Sequence, residues 1–256
     1  MKKNILITAG PTNEYIDEVM KITNMSTGRL GVELTKNYLN EGCYVTLIAT
    51  RSVFRGGLFE RYGLDSHECL KKIPIETTED MYNALNNEKD NHYDLIIHAS
   101  AVGDYKADFS FRMEDMALEL VEAINEGKIT YEEIFDILTN PSCKVNDETK
   151  ISSYEQNLTV KLGLTRKLIS NLRNWYPNSL LIGFKLLENV PKEHLIEVAR
   201  KLCEKNRMDF IIANDLHDLR NGEHLSFLVN SEGYQDIEFH SPEDIYETTK
   251  KLILKR

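Results

Sequence analysis

The chain alternates short, continuous apolar runs with longer stretches of helical period. Ile5 to Thr8, Tyr44 to Thr50, Asp94 to Ala99, Leu180 to Phe184 and Asp209 to Asp215 are rich in Ile, Leu and Val. Such runs mark strands buried on both faces, and Ile73 to Glu76 predicts a further short one. Between them, apolar residues recur every three or four positions. Leu30, Leu34 and Tyr38 share one face of a helix running from near Thr27 to a stop at Gly42. Thr78 to Glu88, capped by Thr78, Thr165 to Trp175 and Lys192 to Asn206 read as helices, and Pro242 opens a last one in the favoured first-turn position. Ser226 to Val229 and Asp236 to Phe239 suit an antiparallel pair. Strands alternating with helices predict an α/β fold, a Rossmann-like three-layer, mainly parallel sheet with helices on both faces.

Two stretches break the rhythm. Gly10 to Thr27 reads as a long loop between the first strand and the first helix. Residues 106–149 hold two amphipathic helical patterns, Met113 to Asn125 and Tyr131 to Thr139, and no strand pattern. We read residues 1–256 as a single Rossmann-like domain with 106–149 as a flap or dimerisation excursion. Leu158 to Leu162 alternates apolar and polar residues after it.

Composition narrows the class. With 256 residues and 41% hydrophobic content the chain can bury a large core. A net charge of −10 and a pI near 5.3 argue against a nucleic-acid partner. No apolar run reaches the roughly 20 residues of a membrane span, and the first residues lack a signal-peptide pattern, so a cytoplasmic location is expected. Cys43, Cys69, Cys143 and Cys203 are scattered without metal spacing and are expected as reduced thiols.

Candidate chemistry gathers at the carboxyl ends of the strands. Asn24-Met-Ser-Thr-Gly-Arg29 offers an amide, hydroxyls, a glycine and a cation where a helix begins, an arrangement suited to phosphate. Ser100-Ala-Val-Gly-Asp104 follows a buried strand with small residues that let a ligand approach the backbone. Gly-x-Gly-x-x-Gly is absent, since Gly28 and Gly31 come some twenty residues after the first strand, and the second strand ends without an acidic residue for a ribose. Tyr246 and Lys250 have the spacing used by short-chain dehydrogenases but sit in the last helix. An NAD(P)-dependent oxidoreductase is therefore an alternative with little support.

Six motifs in order carry a resemblance: Ala9-Gly-Pro-Thr-x-Glu-x-Ile-Asp17, Ile22-Thr-Asn-x-Ser-Thr-Gly-Arg-x-Gly31, Ala99-Ser-Ala-Val-Gly-Asp-Tyr105, Lys150-Ile-Ser-Ser153, Ile182-Gly-Phe-Lys185 and Asp209-Phe-Ile-Ile-Ala-Asn-Asp215. Over most of its length the chain resembles the phosphopantothenate–cysteine ligases in their stand-alone bacterial form. The resemblance implies CTP- or ATP-dependent ligation of 4′-phosphopantothenate with cysteine through an acyl-nucleotidylate, with Mg²⁺ and a homodimer. It implies Asn24 and Lys150 as catalytic residues. For nucleotide binding it implies Gly10, Ser26, Thr27, Gly28, Arg29, Ser100, Ala101, Asp104, Lys150, Phe184, Lys201 and Lys205, and for substrate binding Asn24, Ala101 and Asn214. Several also have a plainer reading: Asn24, Ser26, Thr27 and Gly28 as an ordinary helix cap, Asp104 as a turn former, Phe184 as core, and Arg29, Lys150, Lys201 and Lys205 as solvated cations. One departure is Met20, where the family has arginine, which leaves a non-catalytic nucleotide-binding paralogue as a second alternative.

Overall fold

A computed structural model describes residues 2–128, 130–145, 151–152, 154, 156–221 and 224–255. In chain order the elements are β1 (Asn4–Ala9), β2 (Asn13–Tyr15), β3 (Lys21–Thr23), α1 (Arg29–Asn40), β4 (Tyr44–Thr50), α2 (Arg51–Phe54), α3 (Gly57–Arg61), β5 (Leu70–Ile75), α4 (Thr78–Asn87), β6 (Leu95–His98) and β7 (Tyr105–Arg112). There follow α5 (Met113–Asn125), α6 (Tyr131–Thr139), β8 (Leu158–Leu164), α7 (Ile169–Trp175), β9 (Leu180–Leu187), α8 (Lys192–Asn206), β10 (Phe210–Asp215), α9 (Leu216–Arg220), β11 (Ser226–Asn230), β12 (Gly233–Phe239) and α10 (Pro242–Leu254).

The chain forms two compact units. The first comprises residues 1–12, 24–102 and 166–256 and carries an eight-stranded sheet in the order β12-β11-β10-β9-β6-β1-β4-β5. Pairing from β10 through β5 is parallel, and β11 and β12 add the antiparallel edge. Because strand side chains alternate, Ile5, Ile7 and Ala9 of β1 feed one core and Leu6 feeds the other. The first core is closed by Leu34 and Tyr38 of α1 and Ile245 and Tyr246 of α10, the second by Leu85 of α4, Leu172 of α7 and Ala199 of α8. That is the expected three-layer architecture, reached because runs buried on both faces need helices on each side. Helix α4 is capped by Thr77, not Thr78: Thr77 and Asp80 form a reciprocal capping box, while Thr78 is buried and donates to Thr12.

The second unit comprises residues 13–23 and 103–165. Two expectations fail here. The stretch after Gly10 is not all loop, since Asn13–Tyr15 pairs antiparallel with Lys21–Thr23. Nor is 106–149 free of strand, because β7 fills its first part and pairs antiparallel with β8. The alternation is there, with Ala107, Phe109 and Phe111 set against Lys106, Asp108 and Ser110. In the structure a register shift falls between Ala107 and Phe109, and Ser110 is buried along with Phe109 and Phe111. Phe109, Phe111 and Met116 then form the unit's small core. Asp17 ties two parts of this unit together: its Oδ1 accepts from the amides of Val19 and Met20 at 2.7 and 2.6 Å, and its Oδ2 from that of Ile151 at 3.0 Å.

Candidate functional site

The first unit reverses its strand order at β1, which has β4 on one side and β6 on the other. Open α/β sheets leave a crevice for ligands beyond the carboxyl ends of strands at such a point. Three glycines shape it. Gly10, at φ 81°, ends β1, and Gly28, at φ 71°, is the residue from which α1 starts. A Cβ on Gly28 would lie 3.0 Å from the Gly10 nitrogen and 2.6 Å from Val53 Cγ2, and one on Gly31 would lie 2.4 Å from Ala9 Cβ. These are the tasks of a dinucleotide-type glycine fingerprint: tight exit, close backbone approach, and helix packed hard on strand. Here the first glycine is separated from the other two by the residues that carry β2 and β3. Sequence reading missed the fingerprint because it is assembled in space.

No side chain caps α1. Ser26 Oγ and Thr27 Oγ1 lie 3.4 Å from the amides of Gly28 and Arg29, the long limit of a hydrogen bond. By contrast α4, α6 and α10 each have a side-chain cap. The capping alternative for Ser26 and Thr27 therefore loses ground, and the first-turn amides of α1 keep their positive end for an anion. Arg29 Nε pairs with Glu33 at 2.8 Å, and its side chain is 72% exposed.

Asn24 braces the neighbouring strand end. Its Nδ2 donates to the carbonyls of Ala101 and Val102 at 3.2 and 3.1 Å. Both amide hydrogens are used by this pair, so Oδ1 is what the side chain offers a ligand, as an acceptor. Thr12 N–H also donates to the Ala101 carbonyl, and Ala101 N–H donates to that of Gly10, so the two strand ends are stitched together. Beneath them, Ser100 N–H donates to Thr8 Oγ1 at 3.2 Å, and Thr8 Oγ1 lies 2.8 Å from His98 Nδ1. Burial pushes the His98 imidazole down to about 4, so it is neutral at physiological pH. Ser100 Oγ and Asn214 Oδ1, buried atoms near the carboxyl ends of β6 and β10, have no hydrogen-bond partner among the described residues. Leaving such an atom unmet costs about 1–3 kcal/mol, a cost native structures concentrate where a ligand or water will meet it.

The remaining candidates divide. Phe184, half-buried in β9, packs on the first core. Asp104 is exposed and belongs to the second unit, where its carbonyl accepts from Thr165 N–H. Lys150 lies outside the described residues. Lys201 and Lys205 occupy the last turns of α8, which leads into the amino end of β10; they are not brought to the carboxyl-end crevice. Lys201 pairs instead with Glu197 at 3.3 Å. Among the described residues no three His, Cys, Asp or Glu side chains converge as metal ligands.

Tyr246 and Lys250 also face the wrong end. They border a cavity of about 150 Å³ with Lys2, Lys3 and Cys43, at the amino ends of β1 and β4, and Lys250 pairs with Glu41 at 2.6 Å. Burial pushes the Tyr246 hydroxyl up to about 12. A proton-relaying pair for hydride transfer needs to stand at the opposite end of the sheet.

A model of the DNA/pantothenate metabolism flavoprotein C-terminal domain matches residues 1–139. Among curated proteins, the coenzyme A biosynthesis bifunctional protein CoaBC of Thermococcus kodakarensis is 30% identical over 228 residues, which are 89% of this chain and 45% of that protein. The corresponding protein of Vibrio vulnificus is 35% identical over 214 residues, 84% of this chain and 41% of that one. The chain thus spans less than half the length of these relatives. Among solved structures, the DNA/pantothenate metabolism flavoprotein from Streptococcus pneumoniae is 32% identical, with a TM-score of 0.78 over 99% of both chains. The C-terminal domain of a CoaBC protein, 20% identical with a TM-score of 0.63 over 99% of this chain and 95% of that one, shares the fold. No helix among the described residues is long and apolar enough to cross a membrane.

Proposed function

The chain belongs to the DNA/pantothenate metabolism flavoprotein C-terminal domain family, and from that premise we propose that it joins 4′-phosphopantothenate to cysteine at the expense of CTP or ATP. The carrying observation is the uncapped start of α1 crossing Gly10 beside the Asn24 brace on Ala101 and Val102. An oxygen of the substrate carboxylate attacks the α-phosphorus, and the bond from that phosphorus to the bridging oxygen breaks, releasing pyrophosphate. The cysteine amine then attacks the acyl carbon of the nucleotidylate, expels the nucleoside monophosphate and loses a proton.

Each described residue has a task that follows from its surroundings. Ser26, Thr27 and Gly28 receive phosphate oxygens at the helix start, where fixed N–H dipoles favour negative charge without reorganising. Ser100 Oγ and Asn214 Oδ1 meet polar groups of the ligand. Asn24 Oδ1 accepts a hydrogen from the incoming amine and so orients its lone pair at the acyl carbon. Lys150 neutralises phosphate charge, as the resemblance implies. Mg²⁺, which the resemblance implies, would add further neutralisation of the nucleotide phosphates.

A homodimer forms part of the proposal. Its support is apolar surface on the second unit: Leu118, Val121 and Ile124 of α5 and Tyr131, Phe135 and Leu138 of α6 are each at least 41% exposed. Monomeric proteins seldom leave such stripes in water. Four free thiols fit a reducing, cytoplasmic setting. The direct test is to supply phosphopantothenate, cysteine, Mg²⁺ and either nucleotide and to measure pyrophosphate and amide product. Nucleotide binding without either product would mean a non-catalytic paralogue.

A further inference from the structure

A cavity of about 460 Å³ in the first unit lies between the first turn of α1 and the α2–α3 segment, with Thr27, Arg29, Val53, Leu58, Arg61 and Tyr62 in its wall. That volume is within the range of ligand pockets. Val53 forms its inner edge and also covers the glycine crossing: its Cγ2 is 2.6 Å from where a Cβ on either Gly10 or Gly28 would stand. The cavity therefore begins at the point where phosphates at the α1 start would cross β1, on the β4 side.

Its charge is opposite to that of the chain. Residues 51–62 carry Arg51, Arg55 and Arg61 against Glu60 alone, in a protein of net charge −10. Arg51 is paired with Glu76 and Arg29 with Glu33, whereas Arg61 has no ion-pair partner among the described residues. Lys36 Nζ lies 4.7 Å from the Tyr62 ring centre, which places a further cation beside the pocket. Val32, Val53 and Leu58 give one side an apolar surface, which lowers the local dielectric and strengthens attraction between a guanidinium and an anion.

We propose that this cavity is a diphosphate pocket, in which Arg61 and Arg29 hold the β- and γ-phosphates of the nucleotide and retain pyrophosphate after the α-phosphorus bond breaks. The inference rests on the ligase reading for its ligand. A carboxylate attacking a triphosphate needs the leaving group's charge met at the moment it develops, and a planar guanidinium does this with paired hydrogen bonds. Arg61 is thus a leaving-group residue that the sequence motifs do not contain.

Titration of Mg²⁺-pyrophosphate into the full chain and into Arg61→Ala tests it, because Arg61 is exposed and its loss leaves the core intact. Affinity is expected to fall about tenfold or more in Arg61→Ala and to recover in part in Arg61→Lys. Pyrophosphate should also become a correspondingly weaker product inhibitor. Unchanged pyrophosphate affinity in Arg61→Ala overturns the proposal. So does a selective loss of 4′-phosphopantothenate affinity, which would give the pocket to a phosphomonoester. If Arg61-dependent pyrophosphate binding persists in a protein that makes no amide with either nucleotide, the pocket stands and the ligase reading falls.

Discussion

Thr8 Oγ1 and His98 Nδ1 stand 2.8 Å apart on neighbouring parallel strands, and the same Thr8 oxygen accepts the amide of Ser100 at the edge of the crevice. The imidazole is thus part of the scaffold beneath the site, held neutral by burial.

That arrangement has a pH signature. His98 has its ordinary value of 6.5 when unfolded and about 4 when folded. Above 6.5 it is neutral in both states and stability is fully present. As pH falls from 6.5 towards 4, only the unfolded chain takes up the proton, so stability drops by about 1.4 kcal/mol per pH unit from this residue. Urea unfolding at pH 7 and pH 4.5 should show this loss in the wild type and not in His98→Asn. Equal pH dependence in the two proteins would refute the assignment.

Replacing Gly31 by alanine should cost about 1–3 kcal/mol, since the new methyl would meet Ala9 Cβ at 2.4 Å and push α1 off β1. Thermal unfolding checks the cost. The same displacement shifts the α1 start, so nucleotide affinity should fall with it.

Asn24→Asp removes both donors and sets carboxylate oxygens against the carbonyls of Ala101 and Val102. Amide formation should slow by about 10²-fold, with the acyl-nucleotidylate accumulating in a rapid-quench experiment. A wild-type rate would remove Asn24 from the mechanism.

Lys150→Gln should raise the KM for nucleotide while changing unfolding stability by no more than about 0.5 kcal/mol. A large fall in Tm without ligand would instead mark the lysine as structural.

If α5 and α6 form a subunit interface, glutamate at both Leu118 and Val121 should convert a dimer to a monomer in light scattering and leave far-UV circular dichroism unchanged. A wild-type protein that is already monomeric at micromolar concentration would dismiss the dimer.

Much of the first unit was legible because its strands are buried on both faces and so appear as unbroken apolar runs. Asn24, Ser26 and Gly28 could be singled out from their place before a helix. The second unit was harder: Asn13–Tyr15 and Lys21–Thr23 are too short for periodicity to show, and the alternation of β7 runs without a break into the helical pattern of α5. Lys201 and Lys205 were implied by the resemblance alone, and nothing in their local sequence reports which end of the sheet α8 brings them to. Arg61 and Tyr62 carry no local signal at all, since their cavity exists only once α3 is laid beside α1.

The detour between Gly10 and Gly28 has a further consequence, for folding kinetics. In a compact glycine turn, β1 and its helix are joined by about three residues; here the chain must close a loop about six times longer, an added entropy cost of about 1.6 kcal/mol. Docking of α1 onto β1 is therefore delayed until β2 and β3 shorten the effective path. The β9–α8–β10 segment, with short connections and a well-buried helix face, is free of that delay. Pulse-labelled hydrogen exchange should find the amides of β9 and β10 protected before those of α1, and simultaneous protection would show that the detour carries no kinetic cost.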